Sequence, residues 1–202
     1  IFTFIIVLAF SIQPAVAQRK VCKSADIAFE RKQYNTAIER YKKALKKTNK
    51  KKREDDKEYI TYQLAECYRL TEATKLAESH YKRLLRTDYP KRKPIIYYYY
   101  AEALKRNKKY EDAAIQYAKY NELVPDDTRG VKALEDMQNI QQWLEAPTRY
   151  EVTRIKKLNT RSSELGVAWT SNNYNEIIFA STREDGVSKE KDAITGQHFS
   201  DF

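Results

Sequence analysis

The sequence predicts a mainly α-helical chain of stacked helix pairs, followed by a short β-rich segment. Three observations carry this. A pattern of Ala, Tyr and Leu recurs at intervals of 40 and 36 residues. All four glycines lie at Gly130 or later, and a long glycine-free stretch suits helices joined by short turns. Beyond Pro147 the apolar periodicity changes from helical to alternating.

Composition sets the outer limits. Of 202 residues, 42% are hydrophobic and 12% aromatic, which argues against disorder. The net charge of +10 directs attention to anionic partners: nucleic acid, anionic lipid or acidic protein. The excess sits in Lys42–Lys57 and Lys82–Lys93. The sequence does not begin with Met, and Met137 is its one methionine, so we expect a piece of a longer protein.

Residues 1–12 (IFTFIIVLAFSI) are almost wholly apolar, and Gln13-Pro14 and Ala15-Val16-Ala17 follow. An apolar core, a helix-breaking proline and a small-x-small site predict an export signal over residues 1–17. The apolar run falls short of the roughly 20 residues that span a bilayer, so no transmembrane span is expected. Two charges in Gln18-Arg19-Lys20-Val21 argue against lipid attachment at Cys22. Cys22 and Cys67 are the two cysteines. An exported chain can pair them, or each can serve as a small apolar residue on its own helix. His80 and His198 lie far apart with no Cys-x-x-Cys, so neither a metal nor a cofactor is expected.

The repeat is read by laying the chain against itself. Tyr34-x-x-Ala37-Ile38-x-x-Tyr41-x-x-Ala44-Leu45 is matched by Thr74-x-x-Ala77-x-x-x-Tyr81-x-x-Leu84-Leu85. Tyr110-x-x-Ala113-Ala114-x-x-Tyr117-x-x-Tyr120 is the third copy. A first helix precedes each: Leu64-Ala65-x-x-Tyr68 in the second unit, Tyr97-x-x-Tyr100-Ala101-x-x-Leu104 in the third, with Pro125 closing it. This arrangement resembles tetratricopeptide repeats, whose pattern runs through a large residue, Leu-Gly, Tyr, Ala-x-x-x-Phe and a closing Pro. Here Ala25, Ala65 and Ala101 replace the small Gly, and the first unit is the least regular. The resemblance implies a repeat domain over 18–146, with units at about 18–51, 58–91 and 94–127 and a capping helix at 128–144.

Each element has a physical rationale. Apolar residues three and four apart make one stripe per helix. Alanines let two helices approach, and Tyr or Leu interlock beside them. A single pair cannot bury its stripe, so neighbours stack into a solenoid. Pro94-Ile95-Ile96 and Tyr97–Tyr100 have strand-prone side chains. Pro94 nevertheless suits a first helical turn, and Tyr97, Tyr100-Ala101 and Leu104 continue the stripe, so helix is expected. Val131, Leu134, Met137, Ile140 and Trp143-Leu144 give the last helix its stripe, and Asp126-Asp127-Thr128 its start.

After Pro147, strands are expected within Tyr150–Leu158, Gly166–Thr170 and Glu176–Thr182, with Ser171–Asn175 as a hairpin loop and Asp185-Gly186 as a turn. Leu158-Asn159-Thr160, Ser163–Gly166, Ile177–Arg183 and Thr195-Gly196-Gln197 carry a resemblance to the opening blade of a WD-like β-propeller of the periplasm. Ile178 and its neighbours would fill its core. One blade cannot close a propeller, so 147–202 is read as an incomplete start. The order of signal, helical repeats and blade resembles OmpA-family envelope proteins of Bacteroidetes-type bacteria, some of them in type IX secretion machinery. That resemblance implies a periplasmic, outer-membrane-associated scaffold that binds envelope proteins. Peptidoglycan would be held only by domains absent here.

In tetratricopeptide arrays the inner face comes from the first helix of each pair. Carried over by position, Tyr59, Tyr62, Glu66 and Arg69, then Tyr98, Glu102, Lys105 and Arg106, would be partner-binding. Tyr and Arg suit the role, offering large contact area with a polar end. The alternative is an anionic surface, lipid or lipopolysaccharide, bound through the basic run Lys46–Arg53. Nucleic acid is not expected, because no aromatic residues interleave that run for stacking. No enzyme is expected either: nucleophile-elbow, phosphate-loop and metal-cluster motifs are all missing from the sequence.

Overall fold

The structure is a computed structural model that describes residues 21–50, 54–146 and 149–201. The export signal expected over 1–17 lies outside the described residues. Among the described residues eight helices come first: α1 (Lys23–Glu30), α2 (Tyr34–Lys50), α3 (Glu54–Leu70), α4 (Thr74–Leu84), α5 (Tyr89–Arg92), α6 (Ile95–Arg106), α7 (Tyr110–Leu123) and α8 (Thr128–Glu145). Two strands follow, β1 (Glu164–Trp169) and β2 (Ile177–Ser181). Among the described residues no helix is long and apolar enough to cross a membrane.

The helices pack in sequence as pairs: α1 with α2, α3 with α4, and α6 with α7, with α8 against α7. The repeat residues build the contacts. Ala25, Ala65 and Ala101 on the first helices, and Ala37, Ala77 and Ala113 on the second, are all buried. Tyr41, Tyr81 and Tyr117 are among the largest fully buried side chains. Small residues thus permit close approach while tyrosines fill the volume around them. The strand-prone segment from Ile95 is helical, with Pro94 at its N-cap. The short helix α5 was not foreseen; it carries Pro90 into the core.

The turns inside the pairs share one geometry. Lys32, Glu72 and Lys108 all have φ near +60°. In each turn that residue's N–H bonds back to Phe29, Arg69 or Lys105, and the next N–H to Ala28, Tyr68 or Leu104. This is the Schellman ending, whose left-handed position normally favours glycine. Here side-chain-bearing residues occupy it three times, which is how the chain makes tight turns without glycine.

The last helix is anchored at its start. Asp127 accepts the Arg129 N–H at 3.0 Å, and the Tyr120 hydroxyl donates to Asp127 at 2.5 Å. Gly130 allows α8 to approach α7: a Cβ there would run into the Asn121 side chain and the Tyr120 ring. Farther along, Trp143 and Leu144 remain exposed.

The β segment forms a two-stranded antiparallel sheet, β1 against β2, with a register shift between Leu165 and Ala168. Gly166, at φ +63°, makes that bulge possible. Tyr150–Leu158 is not a strand, contrary to expectation. Among the described residues no strand pairs with it, and it ends in a turn in which Leu158 and Asn159 bond back to Ile155. An alternating sequence becomes a strand only where a ladder partner is present. Ile178 likewise does not fill a core: it is exposed, as are Val167 and Trp169, because one hairpin covers only itself. The segment touches the helices where the Asn35 N–H meets the Ala193 and Ile194 carbonyls at 3.1 Å.

Cys22 and Cys67 are both thiols, each buried, so the pairing left open by the sequence is not made. Burial pushes the Cys67 thiol up to about 12, with Glu66 adding to the effect. His80 on α4 is pulled down to about 4, first by burial and then by the cations of Arg83 and Lys42.

Two predictions follow from these features. Lys32→Gly and Lys108→Gly each relieve a left-handed residue and should raise stability by about 0.5–1 kcal/mol, read from denaturant midpoints. Acidification should weaken the fold through His80. The unfolded chain protonates this imidazole near 6.5 and the folded one only near 4. Between those values the unfolded state binds more protons, so stability falls as pH drops from 6.5 to 4, by up to about 3 kcal/mol. Subtracting the pH profile of His80→Gln from that of the parent should isolate this slope.

Candidate functional site

The candidate site is the face formed by the first helices, α1, α3 and α6, together with α8. On α3, Tyr59, Tyr62, Glu66 and Arg69 recur at steps of three and four, which keeps them on one side of the helix. On α6, Tyr98, Glu102 and Lys105 do the same.

The organising contact on this face is an acid bonded to a tyrosine. The Tyr41 hydroxyl donates to Asp26 at 2.7 Å, that of Tyr81 to Glu66, and that of Tyr117 to Glu102. In each case the acid is on the first helix and the tyrosine 15 residues later on the second. Burial, followed by the neighbouring carboxylate, holds all three phenols well above their ordinary pKa. They therefore stay protonated and donate at any ordinary pH.

Each acid also takes a second partner. Asp26 accepts from the Tyr59 hydroxyl at 3.0 Å, linking the first pair to the second. Glu66 is paired with Arg69 at 2.7 Å, and Glu102 with Lys105 at 2.8 Å. Burial works against the charge on Arg69, but the bond to Glu66 and its negative charge keep its pKa above the usual range.

Cations then sit over rings along the face. The Arg69 guanidinium lies 4.1 Å from the Tyr99 ring centre, Lys93 Nζ 4.2 Å from Tyr62, and Arg129 5.2 Å from Tyr98. Tyr98 packs in turn against Tyr99, Tyr117 and Tyr120, at centroid distances of 5.7, 5.6 and 5.4 Å. Such contacts hold rings and cations in place without using up the donors of the cations. The result is a row of preset aromatic surfaces and positive charges. It suits an extended chain that offers carbonyl or carboxylate oxygens and small apolar groups.

The eight sequence-derived residues fall into distinct places. Tyr62 and Glu66 are buried, and Glu66 is engaged by Tyr81 and Arg69. Tyr59 is half-buried and directed at Asp26. Arg69, Tyr98, Glu102 and Lys105 are half-buried along the row. Arg106 is exposed and pairs with Glu72, away from the row. Sequence reasoning missed Tyr99, Lys93 and Arg129, which complete the row, and Asp26, which begins it. One signal was available: Asp26, Glu66 and Glu102 share the spacing of the buried alanines. Among the described residues no group of three or more His, Cys, Asp or Glu could hold a metal ion.

Solved structures with similar helices identify the fold. The first tetratricopeptide domain of Spaghetti (RPAP3), bound to the HSP90 peptide SRMEEVD, aligns with a TM-score of 0.50 at 17% identity. The alignment covers 61% of this chain and 91% of that one. The C-terminal tetratricopeptide-containing domain of a Plasmodium falciparum FK506-binding protein aligns with a TM-score of 0.54 at 21% identity, over 63% and 89% of the two chains. No family model and no curated protein matches the sequence. At these identities the likeness concerns the fold: the helical part has the tetratricopeptide architecture.

The acid–tyrosine contact makes a stability prediction. Tyr81→Phe should keep the fold but leave buried Glu66 one donor short, at a cost of about 1–3 kcal/mol in urea denaturation. The same change at half-buried Glu102's partner, Tyr117→Phe, should cost less.

Proposed function

We propose that the helical part is a non-catalytic protein-interaction scaffold, and that the row of tyrosines and cations on its first-helix face receives an extended segment of a partner protein. The observation that carries this is the placement of Arg69, Lys93 and Arg129 over Tyr99, Tyr62 and Tyr98. These groups are held before any partner arrives, so little side-chain freedom is lost on binding. The architecture supports the reading, since one structural neighbour is seen with a bound peptide.

The partners we propose are proteins of a bacterial envelope, with the scaffold in the periplasm and associated with the outer membrane. Support comes from the export signal expected from the sequence of residues 1–17 and from the order of signal, repeats and β segment, which resembles OmpA-family and type IX secretion proteins. In this reading the β hairpin is the start of a propeller, and peptidoglycan tethering belongs to further domains.

The test is capture from envelope extract by the parent chain and by a variant carrying Lys93→Gln, Lys105→Gln and Arg129→Gln. Both should show equal helix content by circular dichroism. The parent should retain a defined set of proteins and the variant should lose them. Equal capture by the two chains would remove the first-helix face as the binding surface.

A further inference from the structure

The basic residues divide into two populations that the sequence does not distinguish. Along the second half of the array most cations, though not Lys93, Lys108 or Lys132, are matched with acids. Arg92 pairs with Glu58 and Asp55, Arg106 with Glu72, Lys109 with Glu78, Lys119 with Glu122 and Arg129 with Asp127. On α2, on α4 and just beyond its end the situation differs. Lys43, Lys46, Lys47, Lys82, Arg83 and Arg86 are all exposed, and among the described residues none of them makes an ion pair. The acids carried by these two helices are Glu39 and Glu78, and Glu78 is already taken by Lys109 and Asn107.

These cations form one surface. On α2, Lys43, Lys46 and Lys47 are separated by three and four residues and share a side of the helix. Lys42 lies 5.8 Å from the Tyr68 ring, and that ring packs 5.3 Å from His80 of α4. Tyr68 of α3 thus lies between Lys42 of α2 and His80 of α4, and the other cations project from the outward faces of these two helices. Tyr68 is turned roughly 200° around α3 from Glu66, so this surface faces away from the tyrosine row. Exposed Leu76 lies two turns before Arg83 on the same stripe of α4.

We propose that the α2–α4 surface docks the array on a lipid bilayer bearing anionic headgroups. The chemistry favours this partner over nucleic acid. The cations are mostly lysines, compact charges on flexible stems that adapt to a diffuse plane of phosphates. Among the described residues no exposed aromatic side chain accompanies them to stack on bases. Leu76 adds an apolar group at the right level to enter the headgroup region. Each Lys or Arg near an anionic leaflet contributes about fivefold to partitioning, and added salt screens it. The surface uses none of the residues of the tyrosine row, so this proposal stands or falls separately from the scaffold reading.

The test is sedimentation of the full chain with phosphatidylcholine vesicles, with and without about 30% phosphatidylglycerol, read as the ratio of the two binding constants. The ratio cancels any charge-independent contribution from the apolar N-terminus. The parent should favour anionic vesicles by at least about tenfold, and about 0.5 M salt should erase the preference. Lys46→Gln, Lys47→Gln, Lys82→Gln and Arg83→Gln together should bring the ratio close to one. Lys156→Gln, Lys157→Gln, Arg161→Gln and Lys189→Gln, removing the same charge from the β segment, should leave it unchanged. A lysine-acetylation footprint of the parent provides a readout free of mutation: anionic vesicles should protect Lys43, Lys46, Lys47 and Lys82 and leave Lys156 and Lys157 reactive. No anionic preference, equal loss in the two variants, or uniform protection would overturn the proposal. So would a single-stranded oligonucleotide that binds more tightly than the vesicles and displaces them.

Discussion

The structure depends most on a contact that joins two unlike requirements: a buried tyrosine hydroxyl on the second helix of each pair and a carboxylate on the first. Close packing at the alanines draws Tyr41, Tyr81 and Tyr117 out of water. Each hydroxyl then needs an acceptor, since a buried polar group without one is costly. Asp26, Glu66 and Glu102 supply it. The bond fixes the axial register of each pair, because a shift of one residue would carry the acid some 100° around its helix.

That solution brings its own consequence. A carboxylate drawn inward requires more than one donor, and the additional partners are Tyr59, Arg69 and Lys105. Arg69 in turn settles on the Tyr99 ring and Lys105 near Tyr117. The positive, aromatic character of the first-helix face is thus tied to the requirement that held the pairs together. Stability and the proposed binding function share residues here, so changes to this face alter both unless they are confined to its outer cations.

On the opposite side Lys43, Lys46, Lys47, Lys82 and Arg83 have no such structural duty. Their like charges add repulsion that the fold tolerates because water and salt screen it. Charge retained there without internal pairing, beside helices where most cations are paired, is what the lipid-docking proposal rests on. The array then presents two chemically different sides: a row of tyrosines with cations held over them, and a set of unpaired lysines and arginines.

Much of this was written in the sequence. The 40- and 36-residue spacing of Ala37, Ala77 and Ala113 determined the helix pairs, and Pro94 with the stripe through Tyr100 and Leu104 determined a helix where strand propensity argued otherwise. These are local signals, in which a residue's neighbours along one helix decide its environment. Tertiary structure decided the rest. It withdrew Tyr62 and Glu66 into the interior, because Tyr81, Tyr89 and Arg69 close over them. It brought Arg129 onto Tyr98 and Lys93 onto Tyr62, partners that lie about 30 residues apart along the chain. It left Tyr150–Leu158 without a ladder, since alternation shows that a strand is permitted but not that a second strand lies alongside. It also decided which cations are paired and which are not, because which cation meets which acid depends on distances that only the packed helices define.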